Sequence, residues 1–342
     1  LTVRCRQRVG VDLFSLFPSE CAEQIVFVFQ SRKAFLAAKA RRPPPNVRIF
    51  CRKIGEGVTP ADFYTWSSSG YVTLSATFQM QDLRAFNEVL PVPNSNVTMK
   101  FKACGAAYDV SFLTGITNLT VKTLSDSTLT LPTSVKALSL YTKTKTVTVS
   151  GTENLTLLHV PNESVKTTPC PQLQELSWSG KVLSEKALPC PISNVTTLSR
   201  MRLSASVIDP DFRLPAQLTS LDLKVFNGSV DVALLRPLTR LQWMNVSLYG
   251  NTEPVDLSGL TALTRLDANG FSISRLPTSL VEGFLSLQSD SDLSHLTDLT
   301  KLAVTMESDV MVAFPTGLKG LYIDKGTLVN TNISTVGLEV FR

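Results

Sequence analysis

His159 and His295 are the two histidines of this 342-residue chain, so any histidine-based acid–base chemistry would run through them. His159 lies between Leu158 and Val160, an alternation that turns it outward from a strand. His295 falls in a turn-forming stretch, and neither histidine has a nucleophile at a recognisable spacing. The chain holds no G-x-S-x-G elbow and no glycine-rich phosphate loop. Six cysteines are present, Cys5, Cys21, Cys51, Cys104, Cys170 and Cys190, without a C-x-x-C pair, so a zinc site is not expected. Cys170 and Cys190 each sit in Pro-Cys-Pro. They are either a disulfide across neighbouring coils or two thiols in equivalent turns. No catalytic residue, cofactor or metal is expected, and the chain does not read as an enzyme.

Recognition is the chemistry that remains, and a repeating apolar frame must position it. Leu257, Leu260, Leu263, Leu266 and Ala268 fall at steps of three, three, three and two. The same frame recurs at Val110-Leu113-Ile116-Leu119-Val121, at Ile192-Val195-Leu198-Met201-Leu203 and at Leu293-Leu296-Leu299-Leu302-Val304. It is also read at Val232-Leu235-Leu238-Leu241-Trp243, with Asn245 to Glu253 as a longer connection. A second unit opens on a proline turn, as in Leu131-Pro132 before Val135-Leu138-Leu140 and Leu214-Pro215 before Leu218-Leu221-Leu223. Phe314-Pro315 before Leu318-Leu321-Ile323 is a third case. A period near twenty residues predicts stacked coils, because one coil cannot bury its own leucines. The step of two puts a pair of apolar side chains inward on a short strand. The steps of three suit an irregular or 3₁₀-like turn.

The pattern L-x-x-L-x-L resembles the leucine-rich repeat family over roughly residues 95 to 340. The resemblance implies a right-handed superhelix of the α/β type, with short parallel strands and mostly irregular or 3₁₀ convex segments. About eleven coils are expected over residues 106–342. Residues 46–105 read as irregular early coils, through Val47-Ile49, Tyr71-Leu74 and Val97-Met99-Phe101. The asparagine that many such repeats carry after the last strand leucine is missing. Its slot holds Leu124, Lys143, Glu163, Ser206, Phe226, Phe271 and Glu307.

The resemblance implies a protein-binding scaffold that uses the concave strand face. Outward slots flank the inner leucines. They hold Arg200 and Arg202, Ser220 and Asp222, Arg240 and Gln242, Arg265 and Asp267, Lys301 and Ala303, and Gly320 and Tyr322. Arg200, Arg240, Arg265 and Lys301 form a basic file in this reading. Two readings stand: the strands simply solvate these charges, or an acidic protein partner lies along them, since guanidinium groups hold carboxylates in a bidentate fork.

Residues 1–45 read as a basic helical cap, with helices over 12–41 and a stiff Arg41-Arg42-Pro43-Pro44-Pro45 end. Residues 1–55 carry eleven Lys or Arg and three Asp or Glu, a balance of +8 within a net charge of +5, which leaves −3 for the remainder. The stretch Phe17-Pro18-Ser19-Glu20, Ile25, Phe29, Ser31, Phe35 resembles the F-box. That resemblance implies docking through Pro18, Glu20, Ile25 and Phe29 on the adaptor of a cullin-type ubiquitin ligase, with substrate held by the repeats. The other reading is a plain cap over the open end of the coil stack.

No run of eighteen apolar residues exists, so no membrane span is expected. No aromatic interleaving of the basic segment favours nucleic acid. Eight asparagines start an N-x-Ser/Thr triplet: Asn96, Asn118, Asn154, Asn162, Asn194, Asn227, Asn245 and Asn332. An intracellular adaptor is the expectation, with a secreted or cell-surface recognition protein as the alternative.

Overall fold

The computed structural model describes residues 2–5, 26–29, 48–52, 72–75, 98–103, 107–113, 116–123, 126–142, 146–227, 230–250, 254–287, 291–306, 311–325 and 339–341. The chain divides into two compact units, Leu1–Leu173 and Gln174–Arg342. Each is a stack of parallel-strand coils, the solenoid of leucine-rich repeat type that the spacing predicts.

In the first unit each main strand pairs in parallel with the next. The order is Thr2–Cys5, Val26–Phe29, Arg48–Arg52, Val72–Ser75, Thr98–Ala103, Asn118–Thr123, Ala137–Tyr141 and Leu157–Val160. The three early coils inferred from weak spacing are therefore strands. In the second unit the order is Glu175–Leu183, Arg200–Ile208, Ser220–Val225, Trp243–Leu248, Arg265–Asn269, Glu282–Leu287, Lys301–Met306, Gly320–Lys325 and Glu339–Phe341.

The apolar frame is the core. Val110, Leu113, Ile116 and Val121 are fully buried, as are Leu198, Leu218, Leu263 and Leu299. Along the strand Lys301–Met306, buried residues alternate with exposed or half-buried ones, as a one-sided strand requires.

Three expectations change. The helical reading of 12–41 fails at Val26–Phe29, which is a strand between two parallel neighbours. Its sequence, Val-Phe-Val-Phe, is β-branched and aromatic throughout, and that outweighs the helix-start signal upstream. The back of the coils also contains more strand than expected. In the first unit Ala107–Asp109, Ser127–Thr130, Val147–Ser150 and Val165–Thr167 form a second parallel sheet. In the second unit Val255–Asp256 pairs with Ile273–Arg275, and Ser291–Asp292 with Val312–Ala313. Among the described residues Val232–Leu234 is the only 3₁₀ helix. Finally, Asn245 begins no connection, since it lies inside the strand Trp243–Leu248.

A ladder of side-chain hydroxyls stands just before the strands, at a different corner from the absent asparagines. Thr156 Oγ1 donates to the Lys136 carbonyl at 3.2 Å, Thr219 Oγ1 to Ser199 at 3.2 Å, and Thr264 Oγ1 to Gln242 at 3.1 Å. Ser199 and Thr300 repeat the bond to Gln174 and Val281. In each case the donor directly follows a buried leucine and reaches one coil back. Aspartates close the opposite corner: Asp109, Asp231, Asp256 and Asp292 accept from the backbone N–H two residues on. This is an Asx-turn, and it sits immediately before the first apolar residue of the step-of-three units at Val110, Val232, Leu257 and Leu293.

Two substitutions in one coil separate packing from hydrogen bonding. Leu266→Ala should cost about 2–5 kcal/mol, the range for truncating a buried leucine. Thr264→Val should cost about 0.5–1.5 kcal/mol, the net worth of one hydrogen bond. Denaturant melts of the two variants would show equal losses if the frame were not the core.

Candidate functional site

The strand register of the second unit sets two outward rows. The first runs Arg200, Ser220, Trp243, Arg265, Glu282, Lys301, Gly320, each opposite the next. The second runs Arg202, Asp222, Asn245, Asp267, Phe284, Ala303, Tyr322 by the same pairings.

Ten of the twelve outward residues read from sequence lie in these rows: Arg200, Arg202, Ser220, Asp222, Arg265, Asp267, Lys301, Ala303, Gly320 and Tyr322. Arg240 and Gln242 do not. Both precede the strand, with Arg240 in a turn. Met244 and Val246 pair with the inward Leu221 and Leu223, so this coil's frame is Leu241-Met244-Val246 and its outward residues are Trp243 and Asn245. The spacing Leu238-Leu241-Trp243 imitates the frame one step too early. Of the docking residues proposed near the N-terminus, Phe29 ends a strand, while Pro18, Glu20 and Ile25 lie outside the described residues. His159 is half-buried on its strand, and its ring packs on Tyr141 with centroids 5.5 Å apart. His295 is exposed in a turn.

Trp243, Asn245, Glu282 and Phe284 are the row residues that the spacing missed. Glu282 was hidden because the following inward slot holds Gly283 instead of a leucine. Glu282 changes the electrostatics of the file. Its carboxylate sits 2.9 Å from Lys301 Nζ and 3.7 Å from Arg265 Nε. The hydrogen bond and charge of Lys301, then the charge of Arg265, hold Glu282 below the usual carboxylate range. Two cations of the basic file are thus already engaged by one acid.

Between these rows lies a groove of about 390 Å³. Phe284 and Tyr322 flank Ala303 in the second row, and Gly320 lies beside Lys301 in the first. Trp243, Arg265 and Asp267 extend the lining toward the preceding coils. Strands repeat at about 4.8 Å, so the strands carrying the two aromatic residues are about 10 Å apart with only a methyl group between them.

Asp267 titrates above the usual aspartate range. Burial is the main cause, the hydrogen bond from Asn269 opposes it, and the charge of Asp222 adds to it. Asp222 Oδ1 is buried and accepts no hydrogen bond.

Removing the lysine tests the Glu282 cluster. Lys301→Ala should return the Glu282 titration upward toward the ordinary glutamate value, as read by NMR of the carboxyl carbon against pH. The sign follows from the lowered value. The cluster's stabilisation is present above the ordinary glutamate pKa and is lost as pH falls through the lowered one. Because the pair is solvent-exposed, the melting temperature near neutral pH should hardly change. An unmoved Glu282 titration would mean that the bridge does not form.

No protein-family model matches this sequence, and no curated protein matches it. Among solved structures, a chain from the crystal structure of a TLR13–ssRNA13 complex is similar to it, with a TM-score of 0.45 and 14% identity. The match covers 92% of this chain and 59% of that chain.

Proposed function

We propose that this chain is a non-enzymatic scaffold that binds a protein partner on the outward strand face of residues 174–342. The observation that carries this reading is the groove around Ala303. Long side chains are missing where the rows would otherwise be filled, and Phe284 and Tyr322 stand on either side. Aromatic residues around a concavity are the usual anchors of interfaces. An acidic partner lying along the basic residues is a weaker version. Arg240 is off the strand, Glu282 engages Arg265 and Lys301, and only Arg200 and Arg202 are left for it. A substrate-receptor role on a ubiquitin ligase requires helical docking at Phe29, which stands in a strand, so the scaffold reading is made without it.

Affinity purification from the source cells, read by mass spectrometry, tests the face. A partner recovered with the parent protein should be lost with Ala303→Trp, which fills the groove. It should be kept with Thr148→Trp, on the exposed side of the second sheet. Equal recovery with Ala303→Trp and the parent would place binding elsewhere.

We also propose an intracellular setting. One observation favours the secreted or cell-surface alternative: Asn154, Asn194 and Asn227 of the N-x-Ser/Thr triplets are exposed. Enzymatic deglycosylation of protein taken from its own cells should leave its mass unchanged. A loss of mass would decide for the alternative.

A further inference from the structure

We infer that the segment held on this face carries a basic residue and, four residues later, an aromatic one, and crosses the strands in an extended conformation. The inference rests on the strand-face reading above and adds the chemistry of the occupant.

The first anchor is the pair Asp222 and Asp267, which stand on either side of Asn245 in one row. The two carboxylates differ from Glu282. Among the described residues neither makes an ion pair, although Arg202 stands opposite Asp222 in the register, and Asp222 Oδ1 lies beneath the surface without a donor. Partial burial strips both carboxylates of water, and a charged donor at their outer oxygens offsets that loss best. The strands of the two aspartates are two spacings apart, about 10 Å, so a guanidinium lying over Asn245 can face both. The burial that raises the Asp267 titration points the same way, because a cation beside it would offset that burial.

The second anchor is the slot between Phe284 and Tyr322, over Ala303. About 10 Å between their strands admits one flat ring with each neighbour at a stacking distance of roughly 4.5–7 Å between centroids. A nucleobase would also fit by shape, but Arg265 and Lys301 beside the slot are already engaged by Glu282, and Asp222 and Asp267 in the same row repel a phosphate chain that follows it.

The spacing of the two anchors sets the motif. From Asn245 to Ala303 there are three strand steps, through Asp267 and Phe284, about 14 Å. An extended chain rises about 3.4 Å per residue, so roughly four residues cover that distance. Four is even, so both side chains point to the same side of the segment.

The probe is a fluorescein-labelled heptapeptide of sequence GRGSGWG, titrated by anisotropy against the full chain. The controls are GEGSGWG, with the charge reversed, and GRGWGSG, with the spacing shortened. The first peptide should bind at least about tenfold more tightly than either control, as a lost charge-assisted contact implies. Asp222→Asn with Asp267→Asn should erase the preference for arginine without lowering the melting temperature. Ala303→Trp should weaken GRGSGWG to the level of the controls. Preferential binding of GEGSGWG that Ala303→Trp blocks would overturn the motif and leave the strand-face scaffold intact. Binding of GRGSGWG that Ala303→Trp does not touch would overturn both. Absence of peptide binding at millimolar concentration, or an oligouridylate bound in the groove instead, would also overturn the motif.

Discussion

A single backbone carbonyl ahead of each strand carries the stacking of the coils. The Thr219 carbonyl accepts the N–H groups of both Gln242 and Trp243, and the Gln242 carbonyl accepts those of Thr264 and Arg265. In several coils a hydroxyl joins them as a third donor, as Thr264 Oγ1 does on Gln242. Because the shared acceptor lies one coil back, the next strand can begin at one position only. Slipping by one residue would lose these donors and turn the leucines outward. Register is therefore set twice over, by burial on one side and by hydrogen bonding at the corner.

With the register fixed, the outward rows follow, and their charges are a consequence rather than a cause of folding. Exposed ion pairs such as Lys301–Glu282 contribute little to stability, because solvent screens them and long side chains must be ordered to form them. Burial on the same face acts in the opposite sense at Asp267, where desolvation outweighs the hydrogen bond from Asn269. One face thus holds an acid already matched by cations and, one and three strands away, acids that make no ion pair. Net charge does not reveal this, since what differs is which carboxylate a cation of the adjoining coil actually reaches: Lys301 bonds Glu282, while Arg202 stands opposite Asp222 without forming an ion pair.

The core was legible in the sequence wherever leucine filled the inward slots, because burial leaves a periodic trace. It was misread at Leu241, where an apolar residue at both 238 and 243 made two frames fit equally well. Met244 and Val246 settle the choice once pairing with Leu221 and Leu223 is known. The register signal was present but unused: a serine or threonine after the leucine, as in Leu198-Ser199, Leu218-Thr219, Leu263-Thr264 and Leu299-Thr300, and an aspartate before the step-of-three run. The second sheet left an alternating trace too, in Val147-Thr148-Val149 and Thr128-Leu129-Thr130. The groove was less legible, because it is made of what is missing. Ala303 and Gly320 say nothing in a list of charges until the register puts them beside Phe284 and Tyr322.

The coil carrying Phe284 departs from the frame on its inner side as well. Gly283 occupies an inward slot paired with Leu266 and Leu302, and a side chain there would press on the Leu302 Cδ1 methyl at 3.3 Å. Giving up a buried leucine side chain forgoes roughly 1.5–3 kcal/mol of burial. Leu280, Leu285 and Leu302 approach the vacant position and close part of the space. On its outward side the next two coils carry Ala303 and Gly320, the smallest residues of their rows. Departures from the local rule that cost stability and coincide in space mark functional sites more often than accidents of packing. Here they coincide at the aromatic slot. The same substitutions that weaken the repeat at Gly283 open its outer face at Ala303, which is what a surface kept for a partner requires.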